Sequence, residues 1–220
     1  IIVTPVGHPL AAEVEMPKPG YLEGLRALAD NYGCVLIFDE IRSGFRVSLG
    51  GAQAYFGVTP DLATFGKAMA NGYAIAALVG KSEIMNVMAD KVFLSSTFFP
   101  NSDAQVAALK TIEILERDKV TDVIAAKGHK FAADVEKVVA ESGIPARFSG
   151  APWMPFITFP KDQTGLYKKL RTEFYTQLIR RGVFLQPYHH GYICYRHTDE
   201  DLAYTVGAIK ASLADLKSLC

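Results

Sequence analysis

The chain has 220 residues, half of them hydrophobic, and its 23 basic and 23 acidic side chains give a formal net charge of zero. This balance argues against nucleic acid or an anionic membrane surface as the main partner. No apolar run approaches the roughly 20 residues that a membrane-spanning helix requires, and no signal peptide is recognisable. The length suffices for one large domain or two modest ones, and the hydrophobic content allows a sizeable buried core.

The first part of the chain alternates between predicted strands and helices, which is typical of an α/β fold with a parallel sheet. Strands are predicted at residues 1–3, 35–38, 62–65, 74–79 and 91–94. Helices are predicted at residues 19–32, 82–88 and 102–116. The first helix lies between the first two strands, and such a crossover predicts that these strands pair in parallel.

After residue 120 the pattern changes to longer helices with fewer strands between them. Helices are predicted at residues 120–141, 164–181 and 199–216, and strands at 154–159, 183–186 and 192–195. Thr198, with Asp201 three positions on, indicates a near capping box at the start of the last helix. We therefore predict two domains, residues 1–120 with the sheet and residues 121–220 as a smaller α+β domain.

The cysteines and histidines show no metal-binding pattern, so no metal site is predicted. Cys34 and Cys194 lie in apolar, strand-like stretches and are predicted to be buried thiols of a cytoplasmic protein. The pair His189-His190 lies in a loop and is a candidate to border a substrate cavity. The chain begins at Ile1 in mid-strand, which we interpret as a sign that it is part of a longer protein.

Two residues carry the strongest chemical signal, Asp39 and Lys67. Asp39 ends the apolar run of residues 34–38, and Lys67 lies in a loop between Gly66 and Gly72. Both therefore fall where open α/β sheets bind ligands, beyond the carboxyl ends of the strands. A lysine amine can hold an aldehyde cofactor, and an acid can keep the nitrogen of an aromatic ring protonated.

These residues belong to a series of motifs with a recognisable order. The motifs lie at residues 35–46, 49–53, 57–61, 66–67, 96–102 and 196–202. The chain resembles the class III pyridoxal-phosphate-dependent aminotransferases, in the branch that contains glutamate-1-semialdehyde aminomutase. The resemblance covers essentially the whole chain. It implies that this chain corresponds to the C-terminal half of the longer chain that is usual in the family. It implies a fold-type I transferase, with part of the large mixed or parallel-sheet domain and a C-terminal α+β domain.

The resemblance also implies roles for individual residues around pyridoxal 5'-phosphate. Lys67 would hold the cofactor as a Schiff base and shuttle the proton, and Asp39 would pair with the pyridine nitrogen. Ile41, two residues along the same extended segment, would pack on the ring face. Thr97 would donate to the phosphate across a homodimer interface. His8, which follows the first strand, is a further candidate cofactor contact.

The implied reaction transfers an amino group from an amine or amino acid to a keto or aldehyde acceptor. A substrate carboxylate would require a cation, for which Arg42 and Arg196 are candidates. Glu40 is predicted to be a structural partner of Arg42 or Arg46 rather than a catalyst. The sequence names neither the donor, the acceptor nor the stereochemistry.

Departures from the family pattern leave alternatives open. The first strand ends in Thr4-Pro5 where Glu-Pro is usual, and His189-His190 stands where the aminomutase carries a glutamate. The family's phosphate-binding glycine-serine-threonine loop precedes the region present here, so whether these residues bind the cofactor alone is open. The alternatives are an aminomutase and a non-catalytic homologue acting as a scaffold or partner subunit. A nucleotide-binding α/β domain is a further alternative, but the glycine-rich motif that such a domain usually carries is missing from the sequence.

Overall fold

The computed structural model describes residues 1–6, 14–89, 91–93, 95, 97 and 101–219. These residues form two compact units. The first unit contains Ile1–Val6 and Pro17–Asp122, and the second contains residues 14–16 and 123–219. In the part of the chain that the structure describes, no helix combines the length and apolar character needed to cross a membrane.

The first unit is built on a four-stranded mixed sheet. In chain order its elements are β1 (Ile2–Val3), α1 (Tyr21–Tyr32), β2 (Ile37–Asp39), α2 (Gly51–Phe56), β3 (Leu62–Phe65), β4 (Ala77–Gly80), α3 (Ser82–Met85) and α4 (Ser102–Arg117). The strand order is β1-β2-β3-β4, with β1, β2 and β3 parallel and β4 antiparallel to β3. The predicted parallel pairing of the first two strands is therefore confirmed.

The core of this unit lies between one face of the sheet and helices α1 and α4. Phe38 of β2 is fully buried and pairs with the buried Ala63 of β3. Leu22 and Ala29, seven residues apart on α1, share a helix face and complete this cluster. Side chains alternate along a strand, so Asp39 and its partner Thr64 lie on the opposite face, which is only partly covered.

Asp61 ties the start of β3 to the residues before β2. Its carboxylate accepts a hydrogen bond from the Leu36 backbone N–H at 2.7 Å and forms ion pairs with Arg26 and Lys81. Burial alone would raise the pKa of Asp61, but these three contacts outweigh it and lower the pKa to about 2. Ionised Asp61 therefore stabilises the fold at neutral pH.

We expect Asp61→Asn to lower the free energy of unfolding by about 2 kcal/mol at pH 7, because it removes the charge that both cations bind. The pKa of Asp61 is lowered on folding from 3.8 to about 2, so this stabilisation is lost as the pH falls from about 4 towards 2. Urea unfolding of the unmodified protein and of Asp61→Asn at pH 7 and pH 3 measures this difference in the free energy of unfolding. Asp118→Asn, which removes an exposed ion pair, is the control, and an equal loss in both variants would contradict the account.

The second unit packs three helices with a two-stranded antiparallel sheet. Its elements are the greater part of α5 (Val120–Ser142), then β5 (Arg147–Ser149), β6 (Phe156–Thr158), α6 (Leu166–Arg180) and α7 (Asp199–Asp215). Tyr175 of α6 is buried and donates to the Ile157 carbonyl at 2.7 Å. The predicted capping box is confirmed, because the Thr198 and Asp201 side chains each accept from the other's backbone N–H.

Several predicted elements are wrong in detail. Residues 91–93, 183–186 and 192–195 form no strand, while α2 and β5 were not predicted. Residues 191–193 instead bond irregularly, through Gly191 N–H to the Pro155 carbonyl and Ile193 N–H to the Trp153 carbonyl. Cys34 and Cys194 are exposed, so their prediction as buried thiols is also wrong. An apolar neighbourhood in sequence therefore did not guarantee burial at either position.

Candidate active site

The carboxyl edge of the parallel strands brings the two main candidate residues to one place. Asp39 is the last residue of β2, and Lys67 follows β3 after the single residue Gly66. The two strands are parallel and Asp39 lies opposite Thr64, so both strands end at the same edge of the sheet. The predicted neighbourhood of Asp39 and Lys67 thus follows directly from the strand register.

Asp39 presents one occupied and one open carboxylate oxygen. Its Oδ1 accepts from the Ile41 backbone N–H at 3.1 Å and from the Thr64 hydroxyl at 3.4 Å. Its Oδ2 accepts no hydrogen bond from the residues that the structure describes. Thr64 was not anticipated as a partner, although the alternation of β3 places it on the same face. An ionised Asp39 can therefore receive one further donor through Oδ2.

Glu40 organises the segment that follows Asp39. Its fully buried carboxylate accepts from the backbone N–H groups of Ala52 at 2.6 Å and Gln53 at 3.3 Å, and from the Ser43 hydroxyl at 3.0 Å. These amides begin α2, whose first N–H groups have no partner within the helix. Burial raises the pKa of Glu40, and the three hydrogen bonds oppose that rise. The predicted pairing of Glu40 with a nearby arginine is wrong.

Gly51 makes this buried arrangement possible. Its φ of +71° lies in the left-handed region, and a Cβ there would come within 2.6 Å of both Glu40 carboxylate oxygens. Only glycine meets both demands without displacing the carboxylate. Glu40 and Gly51 therefore fix the loop beside Asp39 as a structural pair.

Lys67 has an unusual backbone and an altered basicity. It begins a short 3-10 turn, Lys67–Met69, with a φ of +45°, a left-handed conformation that costs an L-residue about 1–2 kcal/mol. Lys67 is an exposed residue, but the desolvation that its side chain does undergo, and then the positive charges of Arg42 and Arg46, lower its pKa, while Asp39 acts in the opposite direction. The lowered pKa makes the neutral, nucleophilic amine more accessible.

Ile41 lies next to the lysine loop, but not for the reason that the sequence indicated. The turn of residues 41–46 begins one residue after β2, so the assumption of a continuing extended strand is wrong. The turn forms because Gly44 N–H bonds to the Glu40 carbonyl at 2.8 Å. Ile41 Cγ2 still lies 3.8 Å from the position that a Cβ on Gly66 would occupy.

The remaining candidates are placed less fully. Thr97 is exposed, and His8 lies outside the described residues, so the roles of both stay predictions. In the second unit His190 is buried and its Nε2 lies 2.8 Å from the Tyr192 hydroxyl oxygen. Among the described residues, no group of three or more His, Cys, Asp and Glu side chains is placed to hold a metal ion.

Comparison with known sequences places the chain in a family. The family model described as Aminotransferase class-III matches residues 1–212. The chain belongs to the class III aminotransferases. The pyridoxal-phosphate-dependent family that the sequence motifs predicted is thereby confirmed.

Two relatives of this class III chain carry different enzyme names, an aminotransferase and an aminomutase. A 3-aminobutyryl-CoA aminotransferase of Cloacimonas acidaminovorans (strain Evry) is 77% identical over 219 residues, which cover 100% of this chain and 53% of that protein. A glutamate-1-semialdehyde 2,1-aminomutase of Nitratidesulfovibrio vulgaris (strain DP4) is 36% identical over 205 residues, or 88% of this chain and 48% of that protein. The chain therefore spans about half the length of the curated relatives it matches.

Solved structures agree with this assignment. The FumI protein of Sphingopyxis sp. MTA144, solved in its PLP internal aldimine form, matches with a TM-score of 0.90 and 25% identity, over 99% of this chain and 51% of that chain. An omega-transaminase from Sphaerobacter thermophilus matches with a TM-score of 0.88 and 27% identity, over 98% of this chain and 52% of that chain. The predicted α/β, fold-type I architecture is confirmed.

Proposed function

We propose that the protein transfers an amino group from an amine or amino acid to a keto or aldehyde acceptor, with pyridoxal 5'-phosphate held at Lys67. One observation carries the proposal. Lys67, whose pKa is lowered, and Asp39, whose Oδ2 has no donor among the described residues, lie at the same carboxyl edge of the parallel strands β2 and β3. A scaffold would need neither feature, and the family's chemistry needs both.

The residues present fit that cofactor. Asp39 Oδ2 has no donor among the described residues and is suited to a protonated ring nitrogen, and Lys67 Nζ is suited to an aldehyde. Ile41, Thr97 and His8 would supply further contacts, with Thr97 at the phosphate. Pyridoxal phosphate, when bound, supplies an aldehyde for the amino group and a ring that withdraws electrons from the reacting carbon.

The chain's own residues then have distinct tasks. Lys67 Nζ, in its neutral form, accepts a proton from the substrate carbon that carries nitrogen and returns it on the other side of the transfer. Asp39 would offer Oδ2 to the ring nitrogen. Glu40, buried and bonded to α2, keeps the segment after Asp39 in place. Proton movement would thus depend on the amine of Lys67.

The 77% identity to a 3-aminobutyryl-CoA aminotransferase supports a β-amino acyl-CoA thioester as the amino donor. A keto or aldehyde compound would then serve as the acceptor, and a 2-oxo acid is the keto acceptor used to test the proposal. The 36% identity to glutamate-1-semialdehyde aminomutases keeps one alternative, in which the amino group moves within a single molecule. The two reactions differ in whether an acceptor is consumed.

We also propose a homodimer in which Thr97 serves the partner's site, and a cytoplasmic location. The exposed thiols of Cys34 and Cys194 support a reducing compartment. The proposed domains remain residues 1–120 and 121–220. The division of the described residues between Asp122 and Val123 supports that boundary, although residues 14–16 join the second unit.

The function is tested with the protein expressed from its complete coding sequence and reconstituted with pyridoxal phosphate. We expect 3-aminobutyryl-CoA and a 2-oxo acid to be consumed in equal amounts, with one new amino acid formed for each thioester oxidised to its keto form. Glutamate-1-semialdehyde alone should not be isomerised. Isomerisation without an acceptor would favour the aminomutase, and no reaction with any donor would overturn the proposal.

A further inference from the structure

One buried cation of the second unit has no acidic partner. Among the residues that the structure describes, Arg171 of α6 is the only buried lysine or arginine, with 8% of its surface exposed. No carboxylate pairs with it within that part of the chain, and its buried Nε has no hydrogen-bond acceptor there. Burying a charge without an opposite charge is costly, so the position of Arg171 needs a physical reason.

Two tyrosine rings lie beside the Arg171 guanidinium. Its Cζ lies 4.2 Å from the centre of the Tyr188 ring and 5.8 Å from the centre of the Tyr167 ring. Its Nη2 also donates to the Tyr188 hydroxyl at 3.1 Å. The face of an aromatic ring attracts a cation, which compensates part of the cost of burial. Arg171 therefore holds the Tyr188 ring in a fixed position.

The ring that Arg171 holds is open to solvent. Tyr188 is 56% exposed, although one face of its ring is turned towards the guanidinium. The other face can stack against a flat ring of a ligand. Because Tyr188 is already held in place, little further conformational entropy is lost when a ligand stacks on it.

The segment that carries Tyr167 and Arg171 is positively charged. Asp162 is its one acidic residue, and its carboxylate accepts from the backbone N–H groups of Leu166 and Tyr167. The basic side chains of residues 161–171 are Lys161, Lys168, Lys169 and Arg171. Lys168 is exposed, and its Nζ lies 5.9 Å from the centre of the Tyr167 ring. This excess of positive charge favours an anion near the two tyrosines.

We propose that Tyr188, Arg171 and Lys168 bind the nucleotide end of the CoA thioester, with adenine stacked on Tyr188 and the phosphates beside Lys168. The inference rests on the proposed function and specifies how its amino donor is recognised. Coenzyme A combines a flat aromatic base with several negative charges, which these three side chains complement. The pantetheine arm separates this nucleotide from the thioester, so its recognition requires no residue at the reacting carbon. Arg171 is a positioning residue, because it holds the ring and adds positive charge behind it.

The kinetic test compares 3-aminobutyryl-CoA with 3-aminobutyryl-pantetheine, a thioester that lacks the nucleotide. The protein is expressed from its complete coding sequence. We expect Tyr188→Ala to raise KM for the CoA thioester about 10-fold with kcat unchanged, as for the loss of one base-stacking contact. KM for the pantetheine thioester should not change, which also shows that the variant is folded. Tyr32→Ala, at an exposed tyrosine of α1, is the matched control.

Variants of the two cations test the contribution of charge. We expect Arg171→Gln to raise KM for the CoA thioester about 10-fold, because the Tyr188 ring loses its cation, and Arg171→Lys to restore part of that loss. Lys168→Ala should raise the same KM about 3-fold, and the difference should disappear at high salt. Lys137→Ala, at an exposed lysine of α5, should have no effect.

A binding measurement does not depend on amino transfer. In isothermal titration calorimetry, CoA should bind the unmodified protein, dephospho-CoA should bind more weakly, and Tyr188→Ala should weaken the binding of CoA. Equal KM values for the two thioesters, an equal rise of both in Tyr188→Ala, or absence of CoA binding would overturn the inference, even in a protein that uses other donors. CoA binding that requires Tyr188, in a protein inactive with every donor, would overturn only the proposed function.

Discussion

Replacing Lys67 with alanine should lower kcat/KM for amino transfer by at least about 10⁴-fold, because the change removes both the amine that holds the cofactor and the base that moves the proton. Lys67 is placed for both tasks by its left-handed backbone at the carboxyl edge of the sheet. Desolvation of its side chain together with the charges of Arg42 and Arg46 lowers its pKa, which favours the neutral amine. The measurement is single-turnover amino transfer in the reconstituted protein.

Two variants separate chemistry from folding in this experiment. Lys67→Arg keeps a positive charge without a nucleophilic amine, and we expect it to be as inactive as Lys67→Ala. Lys137→Ala removes an exposed lysine of α5 and should leave the rate unchanged. Substantial activity in Lys67→Arg would show that the amine is dispensable and would contradict the assignment.

Asp39→Asn should reduce kcat by about 10²–10³-fold, the usual effect of removing one preorganised charged group from a reacting centre. The neutral amide cannot hold a proton on the ring nitrogen as a carboxylate does, although it matches the carboxylate in size. The structure leaves Asp39 Oδ2 open while Oδ1 is held by Ile41 and Thr64. Stopped-flow measurement of the donor half-reaction isolates this step.

The neighbouring hydroxyl offers a matched comparison for Asp39. Thr64→Val removes the longer of the two hydrogen bonds to Oδ1 and leaves the carboxylate charge in place. We therefore expect a loss of less than about 10-fold, in keeping with one neutral hydrogen bond. If Asp39→Asn were as mild as Thr64→Val, the carboxylate charge would have no catalytic role at this site.

The sequence predicted the parts of the fold that depend on local pattern. The start of the sheet and helix α1 follow from apolar runs separated by a helical repeat that ends at Gly33, whose φ is +62°. Residues 183–195 show where this reasoning fails, because their apolar side chains suggested strands. The backbone N–H groups of Gly191 and Ile193 instead bond irregularly with the carbonyls of Pro155 and Trp153, which sequence spacing does not reveal. Long-range pairing decided the outcome there.

The same distinction applies to the candidate site. Asp39 and Lys67 were predictable because strand ends and parallel topology fix where they lie. The buried position of Glu40 was not, since it depends on amides of Ala52 and Gln53 more than ten residues away. Arg42 Nη1 is buried without a hydrogen-bond acceptor among the described residues, and this too depends on three-dimensional surroundings that the sequence does not give.

The most direct measurement of the central claim is to locate the cofactor on the chain. The protein, reconstituted with pyridoxal phosphate, is reduced with borohydride, digested and mapped by mass spectrometry. We predict that the cofactor mass is recovered on the peptide that contains Lys67 and is lost in Lys67→Arg. Recovery on a different lysine, or no covalent cofactor in folded protein, would contradict the account.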